Sequence, residues 1–284
     1  MAKKLAMDQI RGVMNMGREA EESMGEGIHI CILVDQTCPR WLAEAVRDVL
    51  MPERDAVVDV RALSASPATV GVDMGIVIAG RSESLVRSAI RTFAGSRQHV
   101  IVIAESSLDI PDAQLPAKLS QYVTDVVAAE RGPLYERLAS TLIDVTDKDV
   151  SCAANFGFCR LVTTAHLVSK CAARNALMSV AEFIPGAGMP LMTMNQVNLG
   201  FDIAATYGQG LSIRRAPEVA VIIAAGIIYR EAARVLLRFA PALNLVVRAG
   251  IAYGGTLLTG RMLSTHFDEG AALIGMVETE ATEA

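Results

Sequence analysis

From Ile28 onward, short apolar runs alternate with stretches of helical periodicity. Residues 28–34 (IHICILV), 56–63 (AVVDVRAL), 74–80 (MGIVIAG) and 99–106 (HVIVIAES) read as strands, with a weaker one at 120–127 (SQYVTDVV). Between them, residues 39–51, 83–96 and 132–145 place apolar side chains at helical spacing. Strands that are apolar on both sides cannot present a wet face, so the pattern predicts a parallel sheet covered by helices on both faces. Residues 28–147 are expected to form a doubly wound, mainly parallel α/β domain.

The polar run at 144–155 (DVTDKDVSCAAN) reads as a domain junction, and everything after Ala153 reads as helix. The expected helices are 153–181, 188–210, 216–239 and 242–265. A polar tail from Asp268 to Ala284 follows, with Glu278, Glu280 and Glu283 making a solvated end. Pro185, Gly186, Gly188 and Pro190 interrupt the apolar pattern. Proline removes a backbone donor and glycine relaxes φ, so a sharp corner between two packed helices is expected there. Ahead of the α/β domain, Leu5, Ile10, Val13 and Met14 mark a short amphipathic helix that ends in a Gly-Glu-Gly linker. Asp8, Arg11 and Arg18 break up the apolar core that an export signal needs. The expected division is therefore 1–27, 28–147, 148–272 (an apolar all-α domain) and an acidic tail at 273–284.

Composition sharpens the second half. Hydrophobic residues make up 52% and aromatics 5% of the chain, which favours helix packing over an aromatic-lined pocket. Mean hydropathy is +0.36, concentrated in residues 151–284. A spanning helix needs about 20 apolar residues. Residues 219–229 stop short of that at Arg230, Glu231, Arg234 and Arg238. Residues 240–259 have the length but carry Arg248 near the centre, at a cost of about 2.5–3.5 kcal/mol. Residues 176–199 would have to bury Glu182 and two prolines. The expectation is a helical hairpin on the cytoplasmic face of the cell membrane, or a bundle that buries its apolar faces by self-association. Arg230, Arg234 and Arg238 repeat at helical spacing and are candidates for contact with anionic headgroups. The net charge of −5 gives no electrostatic footprint for nucleic acid.

Candidate chemistry is sparse. Doubly wound sheets bind ligands at the carboxyl ends of their strands, yet residues 34–41 (VDQTCPRW) lack the glycines and the Lys-Ser/Thr pair of a phosphate loop. A dinucleotide fingerprint is missing from the same turn. Asp35, Thr37 and Asp109 could form a small polar site at the sheet edge, though caps and turn formers are the better explanation of such residues in strand-end loops. Cys152, Cys159 and His166 fall seven residues apart, as if on one helical face. Neighbours would then lie roughly 10 Å apart, too far to close a metal site, so buried structural thiols are expected. Cys31 and Cys38 do not form a Cys-x-x-Cys pair, and His29 and His99 merely flank strands. Five cysteines, an odd number, suggest reduced thiols. No catalytic, cofactor or metal residues are expected.

Two resemblances extend this reading. Residues 28–145 resemble a small GTPase domain whose nucleotide site has decayed: VGVDMGIVIAGRSES and VIVIAESSLDI stand where such domains carry an apolar strand and a guanine-reading strand. Only Asp109 is left of the guanine-reading tetrad. An ordinary flavodoxin-like domain fits the same pattern. In the second half, Pro185-Gly186, Gln196, Tyr207-Gly208, Pro241, Thr256 with Gly260, and Phe267 with Gly270 look like the GTPase-associated domain of unknown function (domain of unknown function 697) of YcjF-type bacterial inner-membrane proteins. His266 stands where that family more often has tyrosine. The resemblance implies architecture more than mechanism; with the missing phosphate loop and the apolar helices, the expected function is a non-enzymatic, membrane-associated adaptor with a pseudo-GTPase domain and an unidentified protein partner. A GTP-binding protein with an unorthodox site around residues 35–40, and a soluble homo-oligomer, are the alternatives.

Overall fold

A computed structural model describes residues 2–64, 69–181, 188–210 and 244–282. The chain divides into two compact units, Gly25–Val162 and Met1–Met24 together with Thr163–Ala284. The sequence reading sets the N-terminal helix apart and places the junction near 147. The structure instead groups that helix with the C-terminal helices, with the division after Val162.

In the α/β unit the strands are β1 (His29–Val34), β2 (Val57–Ala62), β3 (Met74–Ile78), β4 (His99–Ala104) and β5 (Val123–Val127). All neighbours run parallel, in the order β2-β1-β3-β4-β5. This is the flavodoxin-like order of a doubly wound sheet, and its topological switch point lies between β1 and β3. Alternate residues of β1 feed two cores. Ile30 and Ile32 join the side chains of α2 (Arg40–Val49) and α5 (Arg131–Val145) on one face. Cys31 and Leu33 join Val86, Ile90 and Phe93 of α3 (Glu83–Gly95) on the other. Burying each such side chain contributes about 1.5–3 kcal/mol, so the unbroken apolar runs are what fix the layered architecture. A one-turn helix, α4 (Ala117–Ser120), precedes β5. The opposite end of the sheet is stitched by polar contacts. His29 bridges the Gly71 carbonyl (2.8 Å) and Asp59 (3.2 Å), and Lys148 bridges Asp73 (2.8 Å) and the Gly27 carbonyl (2.6 Å).

The helix expected over 153–181 is interrupted. α6 (Asp149–Asn155) ends at an extended Phe156, a 3-10 turn covers Gly157–Cys159, and α7 (Arg160–Ala181) follows. Asn155 explains the stop. Its backbone carbonyl accepts from Glu53 N and its side-chain oxygen from Ala56 N, tying the end of α6 to the segment that enters β2. Among the described residues, the helical unit comprises α1 (Ala2–Met24), the main part of α7, α8 (Gly188–Thr206) and α9 (Asn244–Thr282). α1 packs along α8, closely enough that a Cβ on Gly12 would lie 2.9 Å from the Met194 methyl group. The last helix, expected to end at 265, continues in the described backbone up to Thr282. Pro190 falls in the first turn of α8, where a missing N–H costs no intrahelical bond. The remainder of the expected corner at 182–187, the helix expected at 216–239, and Arg230, Arg234, Arg238 and Pro241 lie outside the described residues.

α8 ends in a Schellman cap. Gly208 N donates to the Ala205 carbonyl (2.9 Å) and Gln209 N to the Ala204 carbonyl (3.0 Å), with Gly208 at φ 70°. A side chain at that φ meets the preceding backbone and costs about 1–2 kcal/mol. Gly208→Ala is expected to lower stability by about that amount. The check is a shifted denaturant midpoint with an unchanged m-value.

Candidate functional site

The sheet's switch point opens at the carboxyl ends of β1 and β3, and Asp35 is the first residue beyond β1. Its N–H continues the ladder to the Ile78 carbonyl (3.0 Å), which fixes the backbone and turns the side chain between the two loops. The carboxylate is 2% exposed. Oδ1 accepts from Thr37 N (2.9 Å), the Thr37 hydroxyl (2.9 Å) and the Ser82 hydroxyl (2.9 Å). Oδ2 accepts from Gly80 N (3.2 Å) and Ser82 N (3.0 Å). The Thr37 hydroxyl in turn accepts from Arg81 N (2.7 Å). Burial pushes the Asp35 carboxyl up, but the hydrogen bonds from Thr37 and Ser82 outweigh it and hold its pKa below the usual aspartate value.

The two loops touch because residue 80 is glycine. A Cβ there would lie 2.6 Å from both Cys38 N and Thr37 Oγ1. At the rim, Trp41 Nε1 of α2 donates to Glu105 Oε1 beyond β4 (3.0 Å). Cys38 is half-buried against the core on the α2 and α5 face, and burial followed by the Asp35 charge pushes its thiol up, away from the reactive thiolate. Chemically, the N–H and O–H groups that a switch-point crevice would offer to a bound anion are committed to an internal carboxylate. That carboxylate is a poor general base, because its charged form is held by five donors.

Of the three polar residues singled out from sequence, Asp35 and Thr37 are brought together and Asp109 is not. Asp109 closes a 3-10 turn after β4, its N–H bonded to the Ser106 carbonyl. The third participant is Ser82, whose position in Gly80-Arg81-Ser82, directly after a strand, was the available signal. Cys31 and Cys38 contribute to opposite faces of the sheet. Cys152 and Cys159 correct the helical-spacing argument. With the helix broken at Phe156, both thiols are fully buried in one core cluster, and burial, followed by the neighbouring Cys152, pushes Cys159 far up. His166 is exposed on α7. Among the described residues no cluster of His, Cys, Asp and Glu is arranged to hold a metal ion.

The described residues that carry the resemblance in the second half all lie in the helical unit. The Tyr207 ring lies 6.0 Å from that of Phe267, and its hydroxyl lies 3.3 Å from Ser264 Oγ. A Cβ on Gly260 would be 2.3 Å from Val168 Cγ2, so α9 and α7 meet at that glycine. Thr256 accepts from buried Asn175 (3.0 Å), whose side-chain oxygen accepts from Asn195 (2.9 Å). Gln196 is buried on α8, and Gly270 falls within α9. Among the described residues no helix is long and apolar enough to cross a membrane. Comparison with protein-family models, with curated proteins and with solved structures gave no match.

Asp35→Asn replaces one acceptor oxygen by an amide that faces N–H donors. It should destabilise the α/β unit by about 2–3 kcal/mol. Because the folded-state pKa of Asp35 is depressed, its stabilisation is complete above the unfolded-state value of about 3.9. It is lost as pH falls through the folded value. Denaturant unfolding at a series of acidic pH values should show that loss in the wild type and a weaker pH dependence in Asp35→Asn.

Proposed function

We propose that this chain is a non-enzymatic adaptor on the cytoplasmic face of a membrane. Its α/β unit is a pseudo-GTPase domain that recruits a protein partner and takes no nucleotide. The observation that carries the proposal is Asp35, a buried carboxylate that uses the donors of both switch-point loops. A phosphate entering the same crevice would have to displace a like charge and break those bonds. A nucleotide-dependent protein would instead keep such donors open for its ligand.

The helical unit supplies the membrane and self-association part of the reading. Its resemblance to the GTPase-associated domain of unknown function rests on Gln196, Tyr207, Gly208, Thr256, Gly260 and Phe267. All of these except Gly208 are buried positions, consistent with structural roles. Arg230, Arg234 and Arg238 are the proposed contacts to anionic headgroups, each worth about 1 kcal/mol near a membrane surface.

Two measurements test this. Titration calorimetry of the full chain with GTP or ATP should give no binding heat, and micromolar affinity abolished by Asp35→Asn or Thr37→Ala would overturn the adaptor reading. In flotation with anionic vesicles, the wild type should rise with the lipid at low salt. Its binding should weaken as screening shortens to about 8 Å. Replacing Arg230, Arg234 and Arg238 by glutamine should reduce flotation without altering the fold.

A further inference from the structure

We propose that β2 is a pairing edge, at which two copies of this chain join antiparallel about a two-fold axis at Val60 and merge their sheets into one. The inference lies wholly within the α/β unit and does not rest on the membrane reading. Among the described residues β2 pairs only with β1. Val57 N donates inward to the Ile28 carbonyl (2.8 Å) and Leu63 N to the Val34 carbonyl (2.9 Å). Backbone groups alternate in direction along a strand, so the odd-numbered residues spend theirs on β1. Val58, Val60 and Ala62 turn theirs to the outer side. Val57 is 50% and Val60 58% exposed, which is unusual for valine in a doubly wound sheet.

The occupant follows from the order of charges. Two copies of one outer edge related by a two-fold axis must run antiparallel, and outward backbone groups must meet outward backbone groups. Three registers do this for at least two of the three outward residues of the strand. Centred on Asp59, the pairing sets Asp59 against its own copy, and centred on Arg61 it sets Arg61 against its own copy. Both oppose like charges, which disfavours them. Centred on Val60, it makes Val60–Val60 and Val58–Ala62 the hydrogen-bonded pairs. Asp59 then faces the second copy's Arg61 at the closer, non-hydrogen-bonded positions. Asp59 and Arg61 already share one face of the sheet, 2.7 Å apart within a chain, so pairing builds a four-charge ladder there. Val58, Val60 and Ala62 of the two copies form an apolar row on the other face. The charges that guard an edge strand against indiscriminate pairing thus admit a single register.

The test uses the full chain. Sedimentation gives the mass, and amide exchange resolved by residue reports on Val58, Val60 and Ala62. The wild type should sediment at twice 30.2 kDa, with those three amides protected. Asp59→Arg and Arg61→Asp should each lose the protection when alone. An equimolar mixture of the two variants should regain it, because each supplies the charge the other lacks. Arg61→Asp keeps the Asp59–His29 contact, and so controls for damage to the fold. Val60→Pro removes only an outward N–H and should lose the protection while retaining its melting transition. The proposal is overturned if the outer amides exchange freely in the wild type, whether the chain is monomeric or assembles through another surface. It is equally overturned if either charge-reversal variant alone is as protected as the wild type.

Discussion

Two loops that leave neighbouring parallel strands both carry unpaired backbone N–H groups, and something must accept from them. In this chain the acceptor is the Asp35 carboxylate, held at the end of β1 by the ladder bond to Ile78. It brings the loops after β1 and β3 into contact, and the contact is close enough to exclude any side chain at position 80. Much of the carboxyl end of the sheet follows from this. α2 starts where the first loop releases the chain, and Trp41 reaches Glu105 from that start. Bonding an internal anion thus holds the loops after β1 and β3 together at the switch point.

The strands were legible in the sequence because a two-sided sheet leaves little freedom in composition. Ile30, Cys31, Ile32 and Leu33 are all buried, and only an apolar run can satisfy both faces. The strand order was not legible, since the helix periods say which segments cover the sheet and not which strands adjoin. The site was half legible. Asp35 and Thr37 stand at a strand end where a polar residue invites notice, whereas Ser82 joins them only through the crossover that places β3 beside β1. Asp109, equally prominent in the sequence, is carried away by the turn after β4.

The helical half was harder to read for a physical reason. Apolar periodicity alone does not show where a helix stops, and the stop at Phe156 depends on Asn155 bonding to residues near position 55. That break is what brings Cys152 and Cys159 together instead of a helical rise apart. Within the unit, Asn175 links α7 to Thr256 on α9 and Asn195 on α8. A satisfied polar group in an apolar seam fixes rotation and register better than interchangeable leucines and alanines do.

The pairing of α1 with α8 has a consequence for synthesis. α1 leaves the ribosome before any of the α/β unit, yet Gly12 meets Met194, about 180 residues later, or roughly 10–35 s at ordinary elongation rates. During that interval the parallel sheet can complete itself from contiguous chain, while α1 has to wait with its apolar side unsatisfied. The helical unit can therefore close on α8 only after the α/β unit has been synthesised, so the order of docking reverses the order of these elements in the chain.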